Sequence, residues 1–152
     1  MNRPRFFLRV LVERQVLQLI RAGRVWEEYP VSTAEAGLGF EEGSNKTPTG
    51  RFRIIEMIGD DAPLGTVFRS RKPTAETFDP ASEADQITSR ILWLDGLEKK
   101  NRNTKARYIY LHGTNHESQL GTPRSHGCIR LSNSDVVTLF DRLVPQTRLL
   151  IG

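Results

Sequence analysis

One stretch of this chain carries a helical period. In SNSDVVTLFDRLVP the apolar residues Val136, Leu139, Phe140 and Leu143 fall at i, i+3, i+4 and i+7, a single stripe along one face. The rest of the apolar content comes in short runs between turn signals. These are FFLRVLV near the start, QVLQLI and VWEEYPV on either side of RAGR, then RFRIIEM, ITSRILWL, RYIYLHG and RLLI. Runs of that length, rich in β-branched and aromatic residues, are strand material, and RAGR between two of them predicts a hairpin. GSNKTPTG, from Gly43 to Gly50, is a turn cluster. The pattern predicts a mostly β domain with one late α-helix. Ser132 or Asn133 can cap that helix, Asp135 sits in its first turn and Pro145 stops it. At 152 residues the chain has the length of a single domain with one core. Its 38% apolar and 26% charged residues are those of a globular protein rather than a disordered one.

Residues 58–86 show no sustained period. An ordered run of that length without secondary structure is uncommon and is often a functional lid. Phe68 and Phe78, in otherwise polar sequence, favour a lid insertion packed on something over a free surface loop. Net charge is +4, with basic clusters at RSRK (Arg69 to Lys72) and KKNRNTK (Lys99 to Lys105). Both suit solvated loops; attraction to an anionic polymer is the alternative. No aromatic residue interleaves the second cluster, which argues against a base-stacking platform, so no nucleic-acid partner is expected.

The scarce reactive side chains are crowded together. Cys128, the only cysteine, stands in SHGCIRL beside His126, and His112 opens HGTN sixteen positions earlier. A lone cysteine makes no internal disulfide; it is a buried small hydrophobe, a stray thiol or a nucleophile. The polar flanks of RSHGCIR argue against a structural cysteine, which would sit in an apolar run. A nucleophilic thiol needs a base or a positive field, because a free cysteine has a pKa of about 8.5. It also needs donors for the developing oxyanion. Gly127 permits a tight turn and close approach of a substrate carbonyl, so that the N–H groups of His126, Gly127 and Cys128 can point into one pocket. His112, at the end of a strand, is held rigidly enough to act as the base of a Cys–His pair. Such a pair is expected to make Cys128 react with alkylating agents faster than a free cysteine. A zinc site of His112, His116 and Cys128 uses the same residues. Gly113 after the first histidine and the lack of an evident fourth ligand speak against it, and no metal is expected.

HGTN, a spacer and SHGCIRLSNSD together resemble the signature of the YkuD-type L,D-transpeptidases, which crosslink bacterial peptidoglycan. TPTGRF (Thr47 to Phe52) resembles an upstream segment of that family and YPVST an earlier strand, so the resemblance runs from about Phe7 to Ile151. It implies a β-sandwich of mixed sheets and one catalytic domain over residues 1–152. It also implies a two-step reaction. Cys128 attacks the carbonyl of the L,D bond before the terminal D-alanine of a tetrapeptide stem. D-alanine leaves, a thioester remains, and an amine from a neighbouring stem resolves it. By carry-over Cys128 is the nucleophile, His112 the base, and the Gly113 carbonyl orients the imidazole. His126, Gly127 and Cys128 supply oxyanion N–H groups. Ser125 and Arg130 join the substrate-binding set, Arg130 either on a substrate carboxylate or in an ion pair, with Asp135 as its partner. No cofactor is implied, and the implied partners are peptidoglycan stem peptides or muropeptides.

Members of that family are mostly exported. Here Arg5, Arg9 and Glu13 interrupt every apolar run near the start, so no export signal is expected. No run has the length of a transmembrane helix, and no membrane insertion is expected. The expected location is cytoplasmic as written, and periplasmic or cell wall if a leader is missing. A cytosolic L,D-carboxypeptidase, trimming murein tetrapeptides with water as acceptor, is therefore the alternative function. An inactive wall-fragment or polyanion binding module is an alternative of another class, and the intact Cys/His pair speaks against it.

Overall fold

Alternation builds the strands at the centre of the molecule. In β1 (Phe6–Leu11), Leu8 and Val10 are buried while Phe7 and Arg9 face outward, as a strand with one covered face requires. β2 (Val16–Arg21) returns antiparallel, and β3 (Arg24–Pro30) follows through the expected RAGR turn. Ala22 and Gly23 there both take positive φ (52° and 76°), the geometry of a two-residue hairpin loop. The computed structural model describes residues 5–152. The first four residues, part of the stretch read above for an export signal, lie outside the described residues.

The remaining elements are β4 (Gly50–Ile58), β5 (Thr66–Arg69), β6 (Lys72–Thr77), β7 (Ile87–Gly96), β8 (Tyr110–Thr114), β9 (Ile129–Leu131), α1 (Asn133–Arg142) and β10 (Arg148–Ile151). The strands join one mixed sheet in the order β3-β2-β1-β10-β4-β7-β5-β6, with β8 and then β9 branching from β7. The β1/β10 and β8/β9 pairs are parallel and the others antiparallel. The architecture is thus mostly β with one late α-helix among the described residues, as the sequence predicts.

The branch has a local cause. Along one edge β7 pairs with β4 over Ile91–Gly96 and with β5 at Ile87 and Thr88; β8 takes the other edge. The handover falls at Ser89, which takes a φ of 68°, and the β7/β8 register slips there. A bulge of this kind bends its strand and lets the sheet diverge. The main core runs through β1, β2, β4, β7, β8, β9 and β10 to Val136, Leu139, Phe140 and Leu143, the predicted helical stripe. Ser132 caps α1, its Oγ accepting the Asp135 N–H at 3.1 Å. A second cluster of Phe68, Ile91 and Tyr110 lies under the β5 end and reaches Trp93 and Cys128.

Residues 58–86 carry the β5–β6 hairpin. Thr66, Val67 and Phe68 of β5 are all buried, and β6 is an exposed edge strand that tolerates Pro73, so neither alternates. β9 shows no period for the same reason: Ile129, Arg130 and Leu131 are all buried. Among the described residues no helix is long and apolar enough to cross a membrane.

Candidate active site

Residues 125–128 form the turn that leads into β9. Ser125 closes it, its Oγ donating to the Cys128 carbonyl at 2.5 Å and accepting the Gly127 N–H at 3.2 Å. Gly127 takes a φ of 127°, which a residue with a side chain adopts only under strain. Thr47, of the TPTG segment, donates its Oγ1 to the Gly127 carbonyl at 2.9 Å and accepts the Ala34 N–H at 2.9 Å. The VST segment flanks the other side. Ser32 and Arg130 exchange two backbone bonds of 3.0 Å, and the Ser125 N–H reaches the Thr33 carbonyl at 2.9 Å. The two upstream segments are thus the walls of the cysteine turn. Of the three N–H groups expected to face one pocket, that of Gly127 is given to Ser125. Those of His126 and Cys128 have no acceptor among the described residues.

The Cys128 thiol is half-buried. It donates to the Tyr108 carbonyl at 3.3 Å and receives the Tyr110 N–H at 3.4 Å; among the described residues it has no hydrogen bond to His112. Burial pushes its pKa up to about 11, and Asp85 adds to the rise, against the opposing pull of the Tyr110 N–H, Arg130 and Arg107. The resting group is therefore a thiol, contrary to the activated thiolate expected from sequence, because desolvation outweighs the positive charges.

β8 and β9 run parallel with His112 opposite Arg130, which sets the imidazole on the strand next to the cysteine turn. His112 Nδ1 lies 2.6 Å from the Gly113 carbonyl. A carbonyl only accepts, so Nδ1 carries the proton and Nε2 is left as a base. Burial lowers the pKa of His112, opposed in part by Asp85 and the Gly113 carbonyl, and the ring is neutral near pH 7. Glycine at 113 has a steric reason: a Cβ there would come within 2.5 Å of the Thr88 carbonyl oxygen on β7.

Arg130 is buried, pairs with Asp85 at 3.0 Å and donates to Gln119 Oε1 at 2.8 Å. Its ion-pair partner is Asp85 rather than Asp135, whose place is the first turn of α1. The exposed His126 ring lies 3.5 Å from the same Asp85 carboxylate. Asp85 arrives on a loop, residues 79–86, that the end of HGTN holds. Asn115 donates to the carbonyls of Asp79 (2.9 Å) and Ala84 (3.1 Å) and accepts the Gln86 N–H (3.0 Å), and His116 Nε2 sits 2.7 Å from the Ser82 carbonyl. His116 is thus a brace for that loop. Among the described residues no group of three His, Cys, Asp or Glu could hold a metal ion.

Sequence reasoning missed Tyr108, Tyr110 and Asp85. Tyr110 had a signal: it stands two residues before His112 in a strand-like run and so shares its face. Asp85 had none, because its partners are distant in the chain.

A thiol in a glycine turn, with two unshared N–H groups and a neutral imidazole on the adjoining strand, has the parts of a cysteine acyl-transfer centre. The scaffold is specific as well. The chain belongs to the YkuD family, the L,D-transpeptidase catalytic domain, whose family model matches residues 5–151. Over 50 residues, 33% of this chain, it is 44% identical to YqjB of Bacillus subtilis (strain 168), a candidate L,D-transpeptidase, in a match covering 28% of that protein. Its fold is similar to that of an L,D-transpeptidase from Mycobacterium smegmatis (TM-score 0.64, 14% identity, 98% of this chain and 59% of that one). It is also similar to the L,D-transpeptidase of Xylanimonas cellulosilytica DSM 15894 (TM-score 0.63, 19% identity, 99% and 62%). L,D-transpeptidase 3 from Mycobacterium tuberculosis, solved with a faropenem-derived adduct, gives a TM-score of 0.64 at 13% identity, over 98% and 60%. At these identities the likeness is one of fold, and the chain spans about three-fifths of the solved chains it matches.

Proposed function

We propose that this domain is an L,D-transpeptidase-type cysteine acyl-transferase acting on peptidoglycan stem peptides. The N–H groups of His126 and Cys128 receive the carbonyl oxygen of the L,D bond. As sulfur attacks the carbonyl carbon, His112 Nε2 takes the thiol proton. The oxyanion collapses, the C–N bond to D-alanine breaks, and the imidazolium returns its proton to the leaving amine. A thioester on Cys128 remains. The amine of a second stem attacks it, gives a proton to His112, and sulfur leaves as the thiol again. With water in place of the amine the same steps release a tripeptide acid.

The observation that carries this reading is the 2.6 Å contact between His112 Nδ1 and the Gly113 carbonyl. It leaves a proton acceptor at Nε2 in a site whose thiol does not ionise by itself. The test is incubation with a disaccharide tetrapeptide, with and without an acceptor amine, read by mass spectrometry. Release of D-alanine with a crosslinked product is expected. Tripeptide as the sole product, even with acceptor present, would make the enzyme a carboxypeptidase. No D-alanine from a folded protein would overturn the reading.

A further inference from the structure

Among the described residues Arg71 has no acidic group within salt-bridge distance, although the Glu56 carboxylate, on β4 opposite Trp93, acts on its charge from further off. This arginine stands in the β5–β6 turn, where Ser70 and Arg71 both take left-handed φ (48° and 64°), so the backbone itself fixes where the side chain starts. The guanidinium lies 4.9 Å from the centre of the Tyr108 ring and 5.2 Å from that of Trp93, and its Nη1 donates to Tyr110 Oη at 3.2 Å. Among the described residues it forms no other hydrogen bond and no ion pair, whereas its neighbour Arg69 is paired with Glu76. The Lys105 ammonium lies 5.6 Å from the same Trp93 ring.

The residues that hold Arg71 also hold the nucleophile. The Tyr108 carbonyl accepts the Cys128 thiol, the Tyr110 N–H donates to its sulfur, and Trp93 and Cys128 pack on the cluster that contains Tyr110. A planar cation ordered on two rings, with donors unspent, has already lost the rotamer freedom that binding would otherwise take from it. Its fork matches a carboxylate. We infer that Arg71 forms a subsite for a carboxylate of the acyl-donor peptide, with Lys105 adding positive charge at the same Trp93 ring. The inference rests on Cys128 being the acyl-transfer nucleophile, and it adds a group that selects the donor. Two carboxylates are candidates, the C-terminal one and that on the side chain of the diamino acid.

The test compares three donors: the free acid, the C-terminal amide and the side-chain amide. Arg71→Asn removes the cation and leaves a residue at ease in the left-handed region. For the free acid, KM should rise by about 10- to 100-fold, the range of a lost hydrogen-bonded charge contact. One of the two amides should bind as weakly to the unaltered protein and respond little to Arg71→Asn, which names the carboxylate. An equal loss on all three donors would assign Arg71 to the hairpin alone and overturn the subsite, as would no loss on any. A second measurement does not need turnover. In a Cys128→Ala background, calorimetric titration with the same peptides should show the same dependence on Arg71. Carboxylate-selective binding, together with no turnover by the protein that retains Cys128, would keep the subsite and sink the acyl-transfer reading. Turnover with no selectivity among donors would do the reverse, and no binding of any peptide would overturn the subsite.

Discussion

Cys128 and His112 are tuned so that both are neutral at rest. Burial drives the thiol up to about 11 and the imidazole down, because each loses more by desolvation of its charged form than nearby charges restore. At pH 7 Cys128 then holds roughly two orders of magnitude less thiolate than a cysteine of pKa about 8.5. Iodoacetamide labelling, followed by intact mass, should therefore be slower than for a free cysteine and should still climb with pH above 9. A fast reaction with a plateau below pH 8 would mean a preformed ion pair and would sink this account. The sign for the base runs the other way. His112 acts when neutral, and a lowered pKa keeps it neutral at more acid pH. The acid limb of kcat/KM should lie below the ordinary imidazole value of about 6.5. His112→Ala should lose about 10²–10⁴-fold and remove that limb, whereas His116→Ala, which removes one of two contacts to the Ser82 carbonyl, should cost far less. Equal losses for the two variants would contradict the assignment.

At the scale of elements, the loop of residues 79–86 is the part of the site most dependent on a single charge. Asp85→Ala would leave the Arg130 guanidinium buried and unpaired. The expected loss is about 2–3 kcal/mol, below the range for a fully buried pair because Asp85 is 24% exposed. Urea unfolding measures it, and Arg130→Met added to Asp85→Ala should recover part of the loss. Additive losses would show that the two side chains do not act as a pair. The elements legible in the sequence were those with one wet and one dry face, and those, like the largely buried β7 and β8, whose longer runs of β-branched and aromatic residues marked them without any alternation. β1 alternates across Leu8 and Val10, and the α1 stripe of Val136, Leu139 and Phe140 recurs intact in the core. β5, β6 and β9 were not legible: β5 and β9 are only four and three residues long and β6 is a polar edge strand, so none offers a run long enough or apolar enough to detect.

Across the whole molecule, the chemistry was legible where it is local in the chain and hidden where it is assembled from afar. SHGC and HGTN marked the residues proposed as nucleophile and base, and TPTG and VST were visible as segments. Their purpose as walls of the cysteine turn emerges only once Thr47 meets Gly127 and Ser32 meets Arg130. Asn133 is the plainest case. From sequence it is one of two candidate helix caps; in the fold Ser132 caps and Asn133 is buried. Its Oδ1 accepts the hydroxyls of Thr88 and Ser89 at 2.5 Å each, and its Nδ2 donates to the Thr114 carbonyl at 3.0 Å. It thereby joins α1, β8 and the bulge at which the sheet branches. It also stands directly behind Gly113: a Cβ on that glycine would lie 3.1 Å from Asn133 Oδ1. Stability and catalysis should therefore be coupled through this side chain. Asn133→Ala strands two hydroxyls and a carbonyl, for a loss of about 2–3 kcal/mol, or about 4–12 °C in Tm for a domain of this size. It should also lower kcat/KM, since the Gly113 carbonyl that orients His112 loses its backing. Leu139→Ala provides the contrast. It opens a cavity in the main core, a cluster that includes neither Cys128 nor His112, with a loss of about 2–5 kcal/mol. Tm by circular dichroism and kcat/KM well below both transitions would separate the two. If the folded Asn133 variant worked as well as the folded Leu139 variant, the branch of the sheet would be support for the fold alone, and the orientation of His112 would not depend on it.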